Sequence, residues 1–168
     1  MLQSRSHSIT GPHNEMHIRE FKLDDLPTVV SLFQRTVREI NIRDYSPVQV
    51  RAWAPDAPDM NAWKERLSRG LIWVCEATGN IVGFIQFEDN GHIDLLYVHP
   101  EFQRQGIARG LLQKALEWAS SKQLPCLFTE ASLTARPFFE RFSFRVVRSQ
   151  KVMLRGVQFE NFVMERNL

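Results

Sequence analysis

The chain has 168 residues, 43% of them apolar, which suits one domain with a proper core rather than two. A formal net charge of +2, with no Lys/Arg block to track a phosphate backbone, argues against a nucleic-acid partner. No apolar run approaches the roughly 20 residues of a membrane span and the start lacks an apolar signal core, so no membrane partner and a cytoplasmic location are expected.

Residues 1–15 are polar, contain Gly11-Pro12 and show no periodicity; they read as a flexible N-terminal extension, leaving 16–168 as a single domain. From His17, HIREFKLDD has the look of a first strand and turn, with Asp24 or Asp25 to cap the following helix and Pro27 in its first turn. Leu26, Val29, Val30, Phe33, Val37 and Ile40 give that helix one apolar face. Ser46, Pro47 and Gln49 form a capping-box signature for a second helix. A Trp- and Pro-rich stretch leads to a short helical segment over 61–68, where Trp63 and Leu67 are spaced i, i+4.

At Leu71 the period changes. LIWVCEA, IVGFIQFE and HIDLLYV, separated by Thr78-Gly79-Asn80 and Asp89-Asn90-Gly91, read as a three-stranded antiparallel meander. Pro100 ends the pairing, because it has no N–H for a ladder. Ile107, Leu111, Leu112, Ala115, Leu116 and Ala119 then share one face of a helix that must pack on the sheet. PCLFTEA reads as a strand parallel to the meander's last strand, TARPFFERF as a short helix, and SFRVVRSQKVML with VQFENFVMERN as two strands joined through Arg155-Gly156. Cys75 and Cys126 lie in apolar strand-like runs and read as buried reduced thiols, with no metal expected.

The strand-to-helix junction carries chemistry. Gly106 sits where the loop turns into the helix, and Ala108 and Gly110 keep the first turn small, so unpaired N–H groups can meet an anion. Arg104 and Arg109 add positive charge there, alongside the helix dipole. The spacing Gln103-x-x-Gly106-x-Ala108 resembles the Arg/Gln-x-x-Gly-x-Gly/Ala pyrophosphate loop of the GNAT N-acetyltransferases, and the order of elements from about His17 onward is that family's order. The resemblance implies an α/β (α+β) GNAT acyl-CoA N-acyltransferase fold: a central mixed, mostly antiparallel sheet of about seven strands with helices on both faces. It implies acetyl-CoA as cosubstrate, held by Gln103, Arg104, Gln105, Gly106, Ile107, Ala108 and Arg109 at the diphosphate, and by backbone groups of Leu96 and Val98 along the pantetheine arm. Val98 N–H would also hold the thioester oxygen.

Strict alternation along HIDLLYV puts His92, Asp94, Leu96 and Val98 on one face and Ile93, Leu95 and Tyr97 on the other, unless a bulge intervenes. Asp94 and His92 match the family's base positions, with Glu88 on the preceding strand as a substitute. The segment from Ala135 to Phe144 resembles the family's Ala-x-x-Phe-Tyr-Glu-x-x-Gly-Phe, but Phe139 replaces the tyrosine that often protonates the departing thiolate and Ser143 replaces a glycine. Tyr97, Tyr45 or solvent could take over that proton. Ser132 is placed near the cofactor or as a helix cap, and Phe139 beside the cofactor.

The string DYSPVQVRAWAP resembles the lid of a bacterial, YafP-like subgroup of small-molecule acetyltransferases, as does the ending RGVQFENFVMER. On that resemblance Tyr45 and Trp53, with Trp63 as a further wall, line an acceptor pocket for a small amine. The implied activity is transfer of an acetyl group to that amine by direct attack in a ternary complex. A protein or peptide N-acetyltransferase and a non-catalytic acyl-CoA-binding module stay open as alternatives, and so does a homodimer.

Overall fold

The computed structural model describes residues 15–168. The expected extension therefore lies, apart from Glu15, outside the described residues. Seven strands, β1 (His17–Glu20), β2 (Leu71–Ala77), β3 (Asn80–Phe87), β4 (His92–Val98), β5 (Cys126–Ser132), β6 (Arg145–Leu154) and β7 (Val157–Asn167), form one sheet in the order β1-β2-β3-β4-β5-β7-β6. Every pairing is antiparallel except β4 with β5. Among the described residues five α-helices accompany the sheet: α1 (Leu26–Glu39), α2 (Pro47–Trp53), α3 (Met60–Leu67), α4 (Ile107–Ser121) and α5 (Arg136–Arg141).

Two apolar clusters sandwich the sheet. One gathers Ile107, Leu111, Leu112, Ala115 and Ala119 of α4 against Ile85, Ile93, Val98 and Leu127. The other packs Val29, Val30, Phe33 and Val37 of α1 against Val74, Phe84 and Leu95. Gly83 sets how closely α4 approaches, since a Cβ there would meet Ile107 Cγ2 at 2.7 Å. The capping box at α2 forms as its sequence dictates: Ser46 Oγ accepts from Gln49 N–H at 3.2 Å, and Gln49 Oε1 accepts from Ser46 N–H at 2.9 Å.

Three local expectations are corrected. Asp25 does not cap α1 with its side chain. Its carboxylate accepts from Lys22 N–H at 2.8 Å and pairs with Arg19, and a 3-10 turn over Leu23–Asp25 carries the chain into the helix. Cys126 is half-buried, while Cys75 is buried.

The third correction concerns β4. Gln86 faces Leu95 and Phe87 faces Ile93, so Asp94 is an extra residue in a β-bulge. The bulge rephases the strand: Ile93, Leu96 and Val98 join the α4 side, while Leu95 and Tyr97 join the α1 side.

Candidate active site

β4 and β5 pair only at His92–Phe128 and Ile93–Thr129. Beyond that point each strand runs on without the other, and a cavity of about 440 Å³ occupies the opening. His99 N–H is given to Val82 O on β3 at 2.8 Å, and backbone groups alternate sides along a strand, so the N–H of Val98, and two residues earlier that of Leu96, face the opening. Thr36 Oγ1 and Gln103 Nε2 approach Val98 O at 3.0 and 2.6 Å and fix this peptide in place.

The loop that follows is shaped for close approach. Arg104 and Gly106 both take left-handed backbone, at φ +59 and +83. A Cβ on Gly106 would have no neighbour within 4 Å, so the space over the turn is open. The first intrahelical bond of α4 runs from Gly110 N–H to Gly106 O, which leaves the N–H groups of Ile107, Ala108 and Arg109 without helical acceptors. Gln103 and Ala108 line the cavity, Arg104, Gln105 and Arg109 are exposed around the turn, and Ile107 is buried under it. The Gln103 side chain is tied back to the strand end, so it sets the loop's shape.

The acidic end of the cavity is built from more residues than the strand itself suggested. Asp94 is held by Arg66 of α3 in a two-point ion pair, Nε and Nη2 donating at 2.8 and 2.9 Å. The bulge aims the Asp94 carboxylate at α3, and Gln86 anchors the end of that helix by donating to Arg66 O at 2.7 Å. His92 stacks on Phe128 with centroids 5.0 Å apart. Its Nδ1 lies 3.2 Å from Glu88 and its Nε2 2.5 Å from Glu130.

Ionised carboxylates only accept, so both ring nitrogens donate and His92 is an imidazolium. The Glu130 hydrogen bond is the main reason its pKa is pushed up to about 9. Reciprocally, the His92 hydrogen bond holds the Glu130 carboxyl below the usual range. Glu130 and Asp94 line the cavity, while His92 and Glu88 stand behind Glu130. Two carboxylates against one imidazolium leave this group one net negative charge, and Arg66 cancels Asp94.

Tyr97 lines the cavity beside Phe33 and Phe84, with ring centroids at 4.9 and 5.8 Å, and burial pushes its phenol above the usual range. Tyr45 gives its ring to the wall, but its hydroxyl is committed: it accepts from Leu133 N–H at 2.9 Å and donates to Glu160 O at 3.2 Å. Trp53 and Phe159 meet Tyr45 at 5.2 and 5.8 Å and continue the aromatic wall. Trp63 does not join it; that ring packs edge-on to Phe33 at 4.7 Å, under Arg66. Ser132 Oγ accepts from Ala135 N–H at 3.0 Å, shaping the turn into α5.

Phe139 lines the cavity with no hydroxyl to offer. It also anchors a helix ending: Phe144 N–H and Ser143 N–H bond Phe139 O and Glu140 O, and the Phe139 and Phe144 rings meet at 5.0 Å. Such an ending demands left-handed backbone, and Ser143 supplies it at φ +67.

An acetyltransferase (GNAT) domain model matches residues 41–166. The chain belongs to the GNAT N-acetyltransferase family. It is 38% identical over 151 residues to the uncharacterized N-acetyltransferase YafP of Escherichia coli (strain K12), covering 90% of this chain and 95% of that one. A GCN5-related N-acetyltransferase structure from Rhodopseudomonas palustris superposes with a TM-score of 0.88 at 26% identity, covering 97% of this chain and all of the other. The fold is also that of the PaiA N-acetyltransferase from Thermoplasma acidophilum in complex with coenzyme A, with a TM-score of 0.71, 19% identity and coverage of 92% and 99%. Arg66 and Glu130 are cavity-lining residues that the strand pattern missed. Each contacts β4 from a distant element, and only the fold brings them there.

Proposed function

We propose that this GNAT protein uses acetyl-CoA to acetylate the amine of a small molecule, by direct attack in a ternary complex. The observation that carries the reading is that one cavity is lined both by Val98, whose N–H faces the β4–β5 opening, and by Glu130, the cavity-facing member of the net-negative Glu130–His92–Glu88 group. The loop suits an acyl-CoA: α4 offers unpaired N–H groups beneath open space, where a diphosphate would meet them with Arg104 and Arg109 alongside. The arm would lie along the backbone of Leu96 and Val98, and Val98 N–H would meet the oxygen on which charge develops.

At pH 7 an alkyl ammonium of pKa near 10.4 is neutral in only about one molecule in 2,500, so a proton must leave before attack. Glu130 faces the cavity and draws the cation in. Its proton passes to the Glu130–His92–Glu88 group, whose outer member, Glu88, hands it to solvent. Asp94, bound two-point by Arg66, orients that end of the cavity. Phe139 has no hydroxyl and burial holds the Tyr97 phenol above its usual range, so the departing thiolate, with a pKa of about 8.5, takes its proton from solvent. Neither cysteine lines the cavity, which supports direct attack over a covalent acyl-enzyme.

The test is thiol release from acetyl-CoA against a panel of polyamines, aromatic amines, amino acids and basic peptides, using wild type, Glu130→Gln and His92→Ala. Turnover on small amines, reduced about 10²–10⁴-fold in the variants with CoA binding retained, is expected. Exclusive turnover on peptides would move the assignment to the protein-directed alternative. CoA binding without release on any amine would leave a binding module.

A further inference from the structure

The cavity changes character along β7. At one end Glu130 of β5 lies opposite Val163 of β7 and lines the opening. Phe159 is four residues from Val163 on the same face, about 13 Å along the strand, and Val152 of β6 lies opposite it. Phe159, Val152 and Leu154 line the far end together with Ile40, Tyr45 and Trp53.

That end is apolar. The Tyr45 hydroxyl is satisfied by Leu133 N–H and Glu160 O, so the residue offers only its ring. Of the charged residues that line the cavity, Arg66, Asp94 and Glu130 gather at the β4 end, and Glu160 alternates to the opposite face of β7 from Phe159 and is exposed.

The three rings form a wall and not a cage. Trp53 stands edge-on to Tyr45 and Phe159, at 80° and 82°, and the three centroids are 5.2–6.0 Å apart. Rings that close touch one another, so no ammonium fits between them as it does in an aromatic cage. They present a joint apolar surface on which a further ring can pack. The wall is also preformed: Gln49 Nε2 donates to Gln158 O at 2.9 Å and Arg155 Nη1 to Ala52 O at 2.6 Å, clamping α2 onto the β6–β7 hairpin.

Building on the acetyltransferase reading, we infer that the acceptor is an arylalkylamine, its amine at Glu130 and its ring, on a tether of roughly two or three carbons, packed against Tyr45, Trp53 and Phe159. Trp53 is the specificity determinant: Tyr45 and Phe159 are buried, whereas Trp53 is half-buried and keeps more ring surface for a ligand. A polyamine would carry a second ammonium into an end that has no carboxylate to meet it.

The experiment is thiol release from acetyl-CoA with 3-phenylpropylamine, hexylamine and 1,5-diaminopentane, on wild type, Trp53→Leu and Trp53→Phe. Wild type is expected to favour the arylalkylamine in kcat/KM by about threefold to tenfold over hexylamine and about tenfold to a hundredfold over the diamine. Trp53→Leu narrows the preference over hexylamine, mainly through KM, because a ring contact remote from the reacting nitrogen holds ground and transition states alike. Trp53→Phe, which keeps a ring, retains most of it. Equal or higher kcat/KM for hexylamine or the diamine in wild type, or an unchanged preference in Trp53→Leu, overturns the inference while leaving acetyl transfer intact. Absence of turnover on every amine and peptide overturns the acetyltransferase reading, and this inference with it. The wild-type comparison decides the matter even if the leucine variant misfolds.

Discussion

Replacing Glu130 by Gln tests the electrostatics at the heart of the site. The His92 pKa stands at about 9, against an ordinary 6.5, and the hydrogen bond to Glu130 is its largest cause. A gap of about 2.5 units corresponds to about 3 kcal/mol, and solvent access at Glu130 discounts the share lost on substitution to about 1–2 kcal/mol. Because the folded pKa is raised, this contribution is fully present below pH 6.5 and is lost as pH rises through about 9. Wild type should therefore lose stability across that window, and Glu130→Gln should lose less. The variant should be less stable by about 1–2 kcal/mol at pH 6 and nearly equal to wild type at pH 10. The lowered pKa of Glu130 reports the same interaction and is counted once. Urea denaturation at a series of pH values gives the stabilities, and the His92 ring-proton shift followed by NMR gives the pKa directly. Titration of His92 near 6.5 in wild type, or an unchanged titration in Glu130→Gln, would refute the reasoning.

Other substitutions test the supports of the site. Asp94→Asn leaves Arg66 without its anion and should cost about 1–3 kcal/mol by denaturant melting, with CoA affinity little changed. Gly83→Ala places a methyl 2.7 Å from Ile107 Cγ2, so α4 must shift. A loss of about 1–3 kcal/mol is expected, together with weaker CoA binding by calorimetry. Ser143→Gly removes a left-handed non-glycine residue and should raise stability by about 1 kcal/mol, with CoA affinity unchanged.

Much of the fold could be read because its signals are local. The capping box of Ser46 and Gln49, the turn before His92 and the one-sided apolar pattern of α4 each fix an element within a few residues, and the hairpins then order β2, β3 and β4. The bulge at Asp94 left no trace, since Leu95 and Leu96 are both apolar and either phase of alternation satisfies a strand packed on two sides. Arg66 carries no mark of its role, because a charged residue near a helix end ordinarily faces water. Glu130 was hidden inside PCLFTEA for the same reason: its partner His92 is 38 residues away in the chain and meets it only through the parallel pairing of β4 with β5. The glycine replaced by Ser143 could be noticed by resemblance, but the ending of α5 explains why a glycine suits that position.

Steady-state thiol release with acetyl-CoA and an accepted small amine both varied tests the central claim most directly. The account predicts turnover with intersecting double-reciprocal lines, the pattern of attack in a ternary complex within the β4–β5 opening. Parallel lines, the mark of a covalent acyl-enzyme, or CoA binding without release on any amine, would contradict it.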